Sequence, residues 1–276
     1  VRMKNTLHLY NNDNVQIVAH RGAAGSNIPC NTIPAFDIAL KGGASILEMD
    51  LFKSTDGKIF IFHTGKEPYQ LNKNIDLTKL DSEEIKKLRL INVDPTQWGI
   101  NSFDDILEHF KGRCILNLDR IGDCIPDVIK AVERHNMKDQ VLLKHAPIPS
   151  VLKIIEDVAP DYMFMPIYME EDNASEIIEK MNINYIGAEL VFKTEESPVI
   201  QPEYIESMKK SGKTLWGNAV LYNYKIPLSA GHTDDVSMID DPDKGWGWLV
   251  DHGFDIIQTD WTYQCCKYLK DRGINH

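Results

Sequence analysis

Ala44-Ser45-Ile46-Leu47-Glu48-Met49-Asp50-Leu51 and, after the turn signal Asp56-Gly57, Lys58-Ile59-Phe60-Ile61-Phe62-His63 form the stretch on which the fold turns. The first segment is strand-like. Side chains two apart on a strand share a face, so Glu48 and Asp50 point the same way. The second segment starts about eight residues after Asp50, too soon for a parallel crossover, which needs a dozen or more. It is therefore expected to fold back as a hairpin arm through Asp56-Gly57. Outward from this pair, further extended runs end near Ala19, Asp119, Lys144, Met165, Glu189, Asn218 and Thr259. With the hairpin arm set aside, eight strands remain, and eight strands alternating with helices predict an α/β chain folded as a (β/α)8 TIM barrel.

The helix signals fit between those strands. Helices are expected from Thr32 with Pro34 in the first turn, from Ser102, at Pro126, after Pro149, near Asn173 and at Pro202. Another should run from Asp241, with Pro242 at its first position, to Gly253, and a last one should follow Asp260. Gly245-Trp246-Gly247-Trp248-Leu249 reads as helical despite its glycines, with its tryptophans packed on the barrel. The segment 64–101 is a short insertion after the second strand. Its one helix signal is Asp81 with Glu84 three residues on, a capping box, in otherwise polar chain containing Asn72, Asn74, Asp94 and Pro95. Trp98 there suits packing on the barrel rim better than a sugar platform. No linker or fixed-period repeat divides the chain, so residues 1–276 are expected to form a single domain.

Barrel chemistry sits at the C-terminal ends of the strands, and chemistry-bearing residues recur there. Val15-Gln16-Ile17-Val18-Ala19 ends on His20-Arg21-Gly22, and the hairpin arm ends on His63. Two neighbouring acids repel unless water or a cation relieves them, and all-oxygen donors suit Mg²⁺ or Ca²⁺ better than zinc. Arginine grips two phosphate oxygens at once. Carboxylates, imidazoles and a guanidinium in this arrangement equip a site for metal-assisted phosphodiester cleavage. Lys144, ending Val141-Leu142-Leu143, is a candidate phosphate contact. Glu189, closing Tyr185-Ile186-Gly187-Ala188, is a candidate partner for a substrate hydroxyl. His8, His109, His135, His252 and His276 read as packed or surface residues.

His20-Arg21-Gly22, Pro29-Cys30-Asn31-Thr32, Gly42-Gly43-Ala44 leading to Glu48-Met49-Asp50, Thr55-Asp56-Gly57 and His63 resemble, in order and spacing, the glycerophosphodiester phosphodiesterase family. The resemblance continues through Ile75-Asp76-Leu77-Thr78, Cys114-Ile115-Leu116-Asn117-Leu118-Asp119 and Asp255-Ile256-Ile257-Gln258-Thr259-Asp260. It implies that Glu48, Asp50 and Asp119 hold one divalent cation, Mg or Ca. It also implies that His20 and His63 act as general acid and base and that Arg21 binds phosphoryl oxygens. Trp216 and Asn218, in Thr214-Leu215-Trp216-Gly217-Asn218, match the family strand that carries a tryptophan, which makes Trp216 a candidate substrate contact. Three departures stand out: Cys30 for the glutamate of the PENT motif, Thr64 for the aspartate of the HD motif, and Asp119 for glutamate. Asp119 is followed at once by Arg120 rather than by lysine two residues on. Beside hydrolysis, a phospho-ligand-binding barrel without turnover and a cyclising phospholipase-type lyase on the same fold remain open.

Composition narrows the partners. A net charge of −11 disfavours nucleic acid and anionic membrane surfaces, so a small phosphodiester must meet a locally positive pocket. No run of 18 apolar residues predicts membrane insertion. No signal-peptide pattern is visible and the chain opens on Val1, so the expectation is a soluble protein, either cytoplasmic or exported with its signal removed. Five cysteines, two of them adjacent at Cys265-Cys266, do not suggest a disulfide framework.

Overall fold

In the computed structural model, which describes residues 14–91, 98–223 and 225–275, the chain alternates strands and helices almost from end to end. The strands are β1 (Gln16–His20), β2 (Ile46–Lys53), β3 (Ile59–Ile61), β4 (Ile115–Asp119), β5 (Val141–His145) and β6 (Met163–Met169). They continue with β7 (Gly187–Val191), β8 (Thr214–Asn218), the short β9 (Leu221–Tyr222) and β10 (Ile226–Pro227), and β11 (Ile256–Thr259). Eight of them pair in parallel in the order β1-β11-β8-β7-β6-β5-β4-β2, and β1 also pairs with β2, which closes the barrel. The arm β3 runs antiparallel to the end of β2, with Leu51 opposite Ile61 and Lys53 opposite Ile59, as the short spacing requires. Phe62 N donates to Asp50 O at 2.9 Å, which returns the chain to the level of Asp50 and delivers His63 beside it.

Period-two alternation divides the strands between two cores. Inward residues Val18, Ile46, Ile115, Leu142, Met163, Met165, Ile186, Trp216 and Ile256 fill the lower barrel. The outward faces, including Leu47, Met49, Leu116, Leu118, Leu143 and Ile257, join helical residues such as Phe36, Phe103, Ile106 and Val128 in a larger layer. Burying each large side chain of this kind contributes about 1.5–3 kcal/mol. Gly187 marks the tightest strand contact, since a Cβ there would stand 2.0 Å from Thr214 O.

The helices begin at the signals their sequence carries. Thr32 caps Ile33–Lys41, Ser102 caps Phe103–Phe110, and the Asp81–Glu84 capping box opens Ser82–Lys86. The insertion holds more order than expected. A short helix Glu67–Gln70 and a 3-10 turn Leu77–Lys79 join the capped one. Leu71, Leu77, Ile85, Leu90 and Ile100 pack with Phe52, Phe60 and Phe62 into a satellite core. Trp98 packs on this cluster and donates from Nε1 to Asn27 O at 2.8 Å, so it staples the insertion to the rim. Asp94 and Pro95 lie outside the described residues, as do His8 and His276.

Two expectations need correction. The run ending at Met165 continues to Met169, with Pro166 at the junction of two ladders: residues 163–166 pair with β5, and Ile167 onward with β7, while Phe164 also bridges Tyr185 just before β7. A missing N–H is tolerated at such a junction. The single helix expected from Asp241 to Gly253 is instead preceded by a helix Asp234–Ile239, capped by Thr233, and itself opens as a wide π turn, Asp243–Gly247, before Trp248–Asp251. Gly247 N donates to Pro242 O at 2.9 Å, the i to i+5 bond of that turn. Gly245 permits it, because a Cβ would stand 1.9 Å from Ser237 Oγ.

Among the described residues no helix is long and apolar enough to cross a membrane. All five cysteines are unpaired thiols.

Candidate active site

Above the apolar lower barrel the inward positions turn polar. Two residues further along each strand from that layer come His20, Glu48, Asn117, Lys144 and Gln258, and two further still Asp50, Asp119 and Asp260. Register sets them side by side: His20 is opposite Glu48, Glu48 opposite Asn117, and Asp50 opposite Asp119. The polar layer is knitted from its far side. Lys144 Nζ lies 2.8 Å from Glu189 Oε2, 3.8 Å from Asp119 Oδ2 and 4.4 Å from the centroid of the Trp216 ring. Glu189 Oε1 accepts from Asn218 Nδ2 at 2.7 Å, and Asn218 Oδ1 accepts from Gln258 Nε2 at 2.9 Å and Trp216 Nε1 at 3.2 Å. Buried charges persist only when paired, and Lys144 and Glu189 pair here, while Gln258 Oε1 and Asn117 Oδ1 lie buried without a hydrogen-bond partner among the described residues.

At the mouth the backbone bends sharply. Arg21, Asn31 and Arg120 have φ of 57°, 55° and 59°, left-handed conformations that are uncommon outside glycine and cluster at functional sites. Each turn aims a side chain or amide inward. Arg21 N donates to Glu48 Oε2 at 3.0 Å, and Arg21 Nε lies 2.8 Å from Asp50 Oδ2. Asn31 Nδ2 donates to the same carboxylate oxygen at 2.9 Å. Arg120 N donates to Asp119 Oδ1 at 2.7 Å, and Arg120 Nη2 donates to Thr64 Oγ1 at 3.2 Å. Cys30 faces the same mouth, its Sγ accepting from Gln70 Nε2 at 3.2 Å.

The two histidines are anchored differently. His20 Nδ1 pairs with Asp260 Oδ1 at 2.8 Å. Asp260 is itself fixed, for its N–H donates to Asp234 Oδ2 at 2.8 Å, while Asp234 Oδ1 accepts from Thr259 Oγ1 and Trp246 Nε1. His63 Nδ1 pairs with Thr64 O at 3.1 Å, which makes Nδ1 its protonated nitrogen in the neutral ring. Burial alone would lower the His20 pKa, but the hydrogen bond and charge of Asp260, helped by Glu48, raise it above the usual histidine value. Burial lowers that of His63. Asp50 opposes the fall, while Arg21 and Arg120 add to it.

The carboxylates are tuned apart as well. Burial, then the charge of Asp50, push Glu48 up to about 7; His20 and Lys144 pull it back and Asp119 pushes further. Burial also acts on Asp50, but Arg21, His63 and Asn31 outweigh it and hold that carboxyl below its ordinary value. Lys144 stays charged despite burial because Glu189, Asp119 and Glu48 surround it, which raises its pKa. Burial raises the Cys30 thiol.

The structure thus brings His20, Arg21, Glu48, Asp50, His63, Asp119, Lys144 and Glu189 to one end of one barrel. Trp216 departs from expectation. It is wholly buried beneath Lys144, so it supports that ammonium from below and presents no face to a substrate. Asn31, Asp234 and Asp260 join the site in the structure without a local sequence signal for their roles, although Asn31 and Asp260 lie within motif segments. Their partners are 19, 26 and 240 residues away, beyond any local pattern. No group of three His, Cys, Asp or Glu side chains among the described residues converges closely enough to hold a metal ion. The reason is visible in the contacts: Asp50 is turned to Arg21 and Asn31, Glu48 to the Arg21 amide, and Asp119 to the Arg120 amide.

Comparison with known proteins agrees with this fold. Residues 20–153 match the model of the glycerophosphoryl diester phosphodiesterase family, and residues 162–269 match that of a domain of unknown function. The YhdW protein of Bacillus subtilis is 29% identical over 142 residues, 51% of this chain and 49% of that protein, so the match spans about half the length of YhdW. A glycerophosphoryl diester phosphodiesterase structure from Parabacteroides distasonis superposes with a TM-score of 0.76 at 19% identity, covering 95% of this chain and 89% of that one. The Oleispira antarctica phosphodiesterase OLEI02445, solved with the product sn-glycerol-3-phosphate, gives 0.67 at 17% identity, covering 92% and 98%. These likenesses establish the barrel. The sheet runs unbroken from the first matched segment into the second, so the segment of unknown function forms the other side of the barrel and supplies Glu189, Asp234 and Asp260.

Proposed function

We propose that this chain, whose residues 20–153 match the glycerophosphoryl diester phosphodiesterase family model, is a member of that family and hydrolyses a small glycerophosphodiester-type phosphodiester to an alcohol and a phosphomonoester. The observation that carries the reading is a pair of oppositely tuned imidazoles at one carboxylate-lined mouth: His20 raised by Asp260, His63 lowered by burial. An acid and a base whose environments push their pKa values apart are what a displacement at phosphorus requires.

His63, neutral and with Nδ1–H held by the Thr64 carbonyl, offers Nε2 to take a proton from the nucleophile, either water itself or a glycerol hydroxyl of the substrate whose cyclic phosphate product water then opens. His20, protonated and held at Nδ1 by Asp260, gives its Nε2 proton to the leaving alcohol. Arg21, fixed by Asp50, binds the phosphoryl oxygens and absorbs charge that develops there. Lys144 and Glu189 form the charged floor on which the buried end of the substrate rests, and Glu189 accepts from a substrate hydroxyl. The whole of residues 1–276 acts as one domain in this reading, because His20 and Asp260 come from opposite ends of the chain.

Glu48, Asp50 and Asp119 would hold one divalent cation, Mg²⁺ or Ca²⁺. They fit chemically: three carboxylates at adjacent strand ends supply hard oxygen donors, and Glu48 is destabilised as an anion by the other two. When bound, such an ion supplies Lewis-acid polarisation of a phosphoryl oxygen and offsets the carboxylate repulsion.

The test is a turnover assay on bis-p-nitrophenyl phosphate and on water-soluble glycerophosphodiesters, each with Mg²⁺, with Ca²⁺ and with chelator. Cation-dependent release of a phosphomonoester supports the reading. Binding without turnover under every cation would make the protein a phospho-ligand-binding barrel, and a cyclic phosphate as the final product would make it a lyase.

A further inference from the structure

The ladders on either side of β11 stop at Thr259 and Gln258, so the next amide, that of Asp260, has no strand to donate to. It donates to Asp234 Oδ2 instead, at 2.8 Å. Asp234 is only 4% exposed, and no step of the mechanism above uses it. Helix capping does not account for its burial. The cap of Asp234–Ile239 is Thr233, whose hydroxyl accepts from Val236 N, and both Asp234 oxygens turn to other elements. Oδ1 accepts from Thr259 Oγ1 at 2.6 Å and from Trp246 Nε1 at 2.7 Å, and Thr259 Oγ1 accepts in turn from Trp261 N at 2.9 Å. One carboxylate therefore grips residues 259 and 260 directly and 261 through Thr259. Its own place is set by the sheet, because Asp234 N donates to Ala219 O and Ala219 N to Gln258 O. Burial pushes its carboxyl up to about 6, against the hydrogen bonds from Thr259, the Asp260 amide and Trp246.

We propose that Asp234 is a positioning residue of the acid, gripping the exit of β11 so that the Asp260 carboxylate stays on Nδ1 of His20 and keeps that ring in its proton-donating form. This deepens the phosphodiesterase reading above and rests on it. The Asp260 side chain needs such a hold. It is 46% exposed, and a carboxylate that open to water leaves an ion pair at little cost. What can be fixed is the backbone from which it hangs, and there Asp234 supplies the acceptor. The action on His20 is indirect, since the charges that bear on its ring are those of Asp260, Glu48 and Arg21. An asparagine at 234 cannot replace the carboxylate. Whichever way its amide is turned, the NH2 meets a donor, either the Asp260 N–H or Thr259 and Trp246, and a bond at the exit of β11 is lost.

The experiment follows the His20 ring by NMR titration, assigned by its loss in His20→Ala. It compares the unmodified chain with Asp234→Asn, Trp246→Phe, Asp260→Asn and the double variant Asp234→Asn/Asp260→Asn, and measures kcat and KM on glycerophosphoglycerol. In Asp234→Asn the His20 midpoint should move to lower pH and kcat should fall about tenfold with KM nearly unchanged, a coupling of the size seen between contacting residues. In the Asp260→Asn background the same substitution should leave the midpoint where it is. Trp246→Phe keeps the carboxylate and removes one donor, so a smaller shift in the same direction is expected, and this variant decides if Asp234→Asn does not fold. An unmoved midpoint in the folded variant, or an equal shift with and without Asp260, would overturn the assignment. If the diester is not turned over, the phosphodiesterase reading fails by itself, and the His20 titration still decides whether Asp234 acts through Asp260.

Discussion

Asp260 Oδ1 and His20 Nδ1 lie 2.8 Å apart although 240 residues separate them in the chain. The contact exists because β11 closes the barrel against β1, so the first and last strands of the sheet share an end. It sets the two histidines in different electrostatic surroundings. A proton-donating His20 needs its charged form, which Asp260 stabilises, and a proton-accepting His63 needs its neutral form, which burial stabilises.

From this follows a bell-shaped pH profile for kcat/KM. Activity should rise as pH climbs through the lowered pKa of His63 and fall as pH climbs through the raised pKa of His20. Asp260→Asn removes the charge that holds His20 protonated, so its alkaline limb should move to lower pH while the acid limb stays in place. An unmoved alkaline limb would show that His20 is not the acid.

Glu48 carries a stability signature. Its carboxyl is raised from 4.5 to about 7 in the folded chain, so the stability linked to its protonation is fully present below about 4.5 and lost as pH rises through about 7. Glu48→Gln should therefore stabilise the metal-free protein at pH 8, by up to ~3 kcal/mol, and change little at pH 4.5. Urea melts at the two pH values check this, and equal effects at both would remove the basis for a charged, frustrated Glu48.

Metal affinity probes Asp119, the shorter acid where the family has glutamate. Calorimetric titration of Mg²⁺ and Ca²⁺ should show tighter binding to the unmodified chain than to Asp119→Asn, with thermal stability nearly matched. Identical affinities would leave Asp119 as a strand cap bonded to the Arg120 amide and nothing more.

A chain of net charge −11 should prefer soluble, deacylated diesters to the same head groups in vesicles. Presenting phospholipid vesicles and the matching deacylated diester side by side settles the matter. Cleavage of the vesicle lipid alone would contradict the expectation.

How much of this was legible in the sequence depends on the range of the interaction. Alternation within β2 places Glu48 and Asp50 on one face, and eight-residue spacing forces the hairpin that delivers His63, because both are local consequences of strand geometry. The caps at Thr32, Asp81 and Ser102 are equally local. Pro166 concealed the second half of β6, since a proline lacks the N–H that a central strand donates and is tolerated there only at the junction of two ladders. Thr233 followed by Asp234 and Asp235 is a helix start of the same local kind, a capping hydroxyl before two acids in the first turn. Asp260, Asn31 and the burial of Trp216 depend on barrel closure and on which partner fills the space, and these are tertiary facts.

The most direct measurement is time-resolved phosphorus NMR of glycerophosphoglycerol with the unmodified protein and with His20→Ala and His63→Ala, in Mg²⁺ or Ca²⁺. The expected result is conversion of the diester resonance to that of a phosphomonoester, slowed by about two to four orders of magnitude in either variant while circular dichroism shows the barrel intact. An unchanged diester resonance under both cations, or near-full conversion by either folded variant, would contradict histidine acid–base hydrolysis at this barrel mouth.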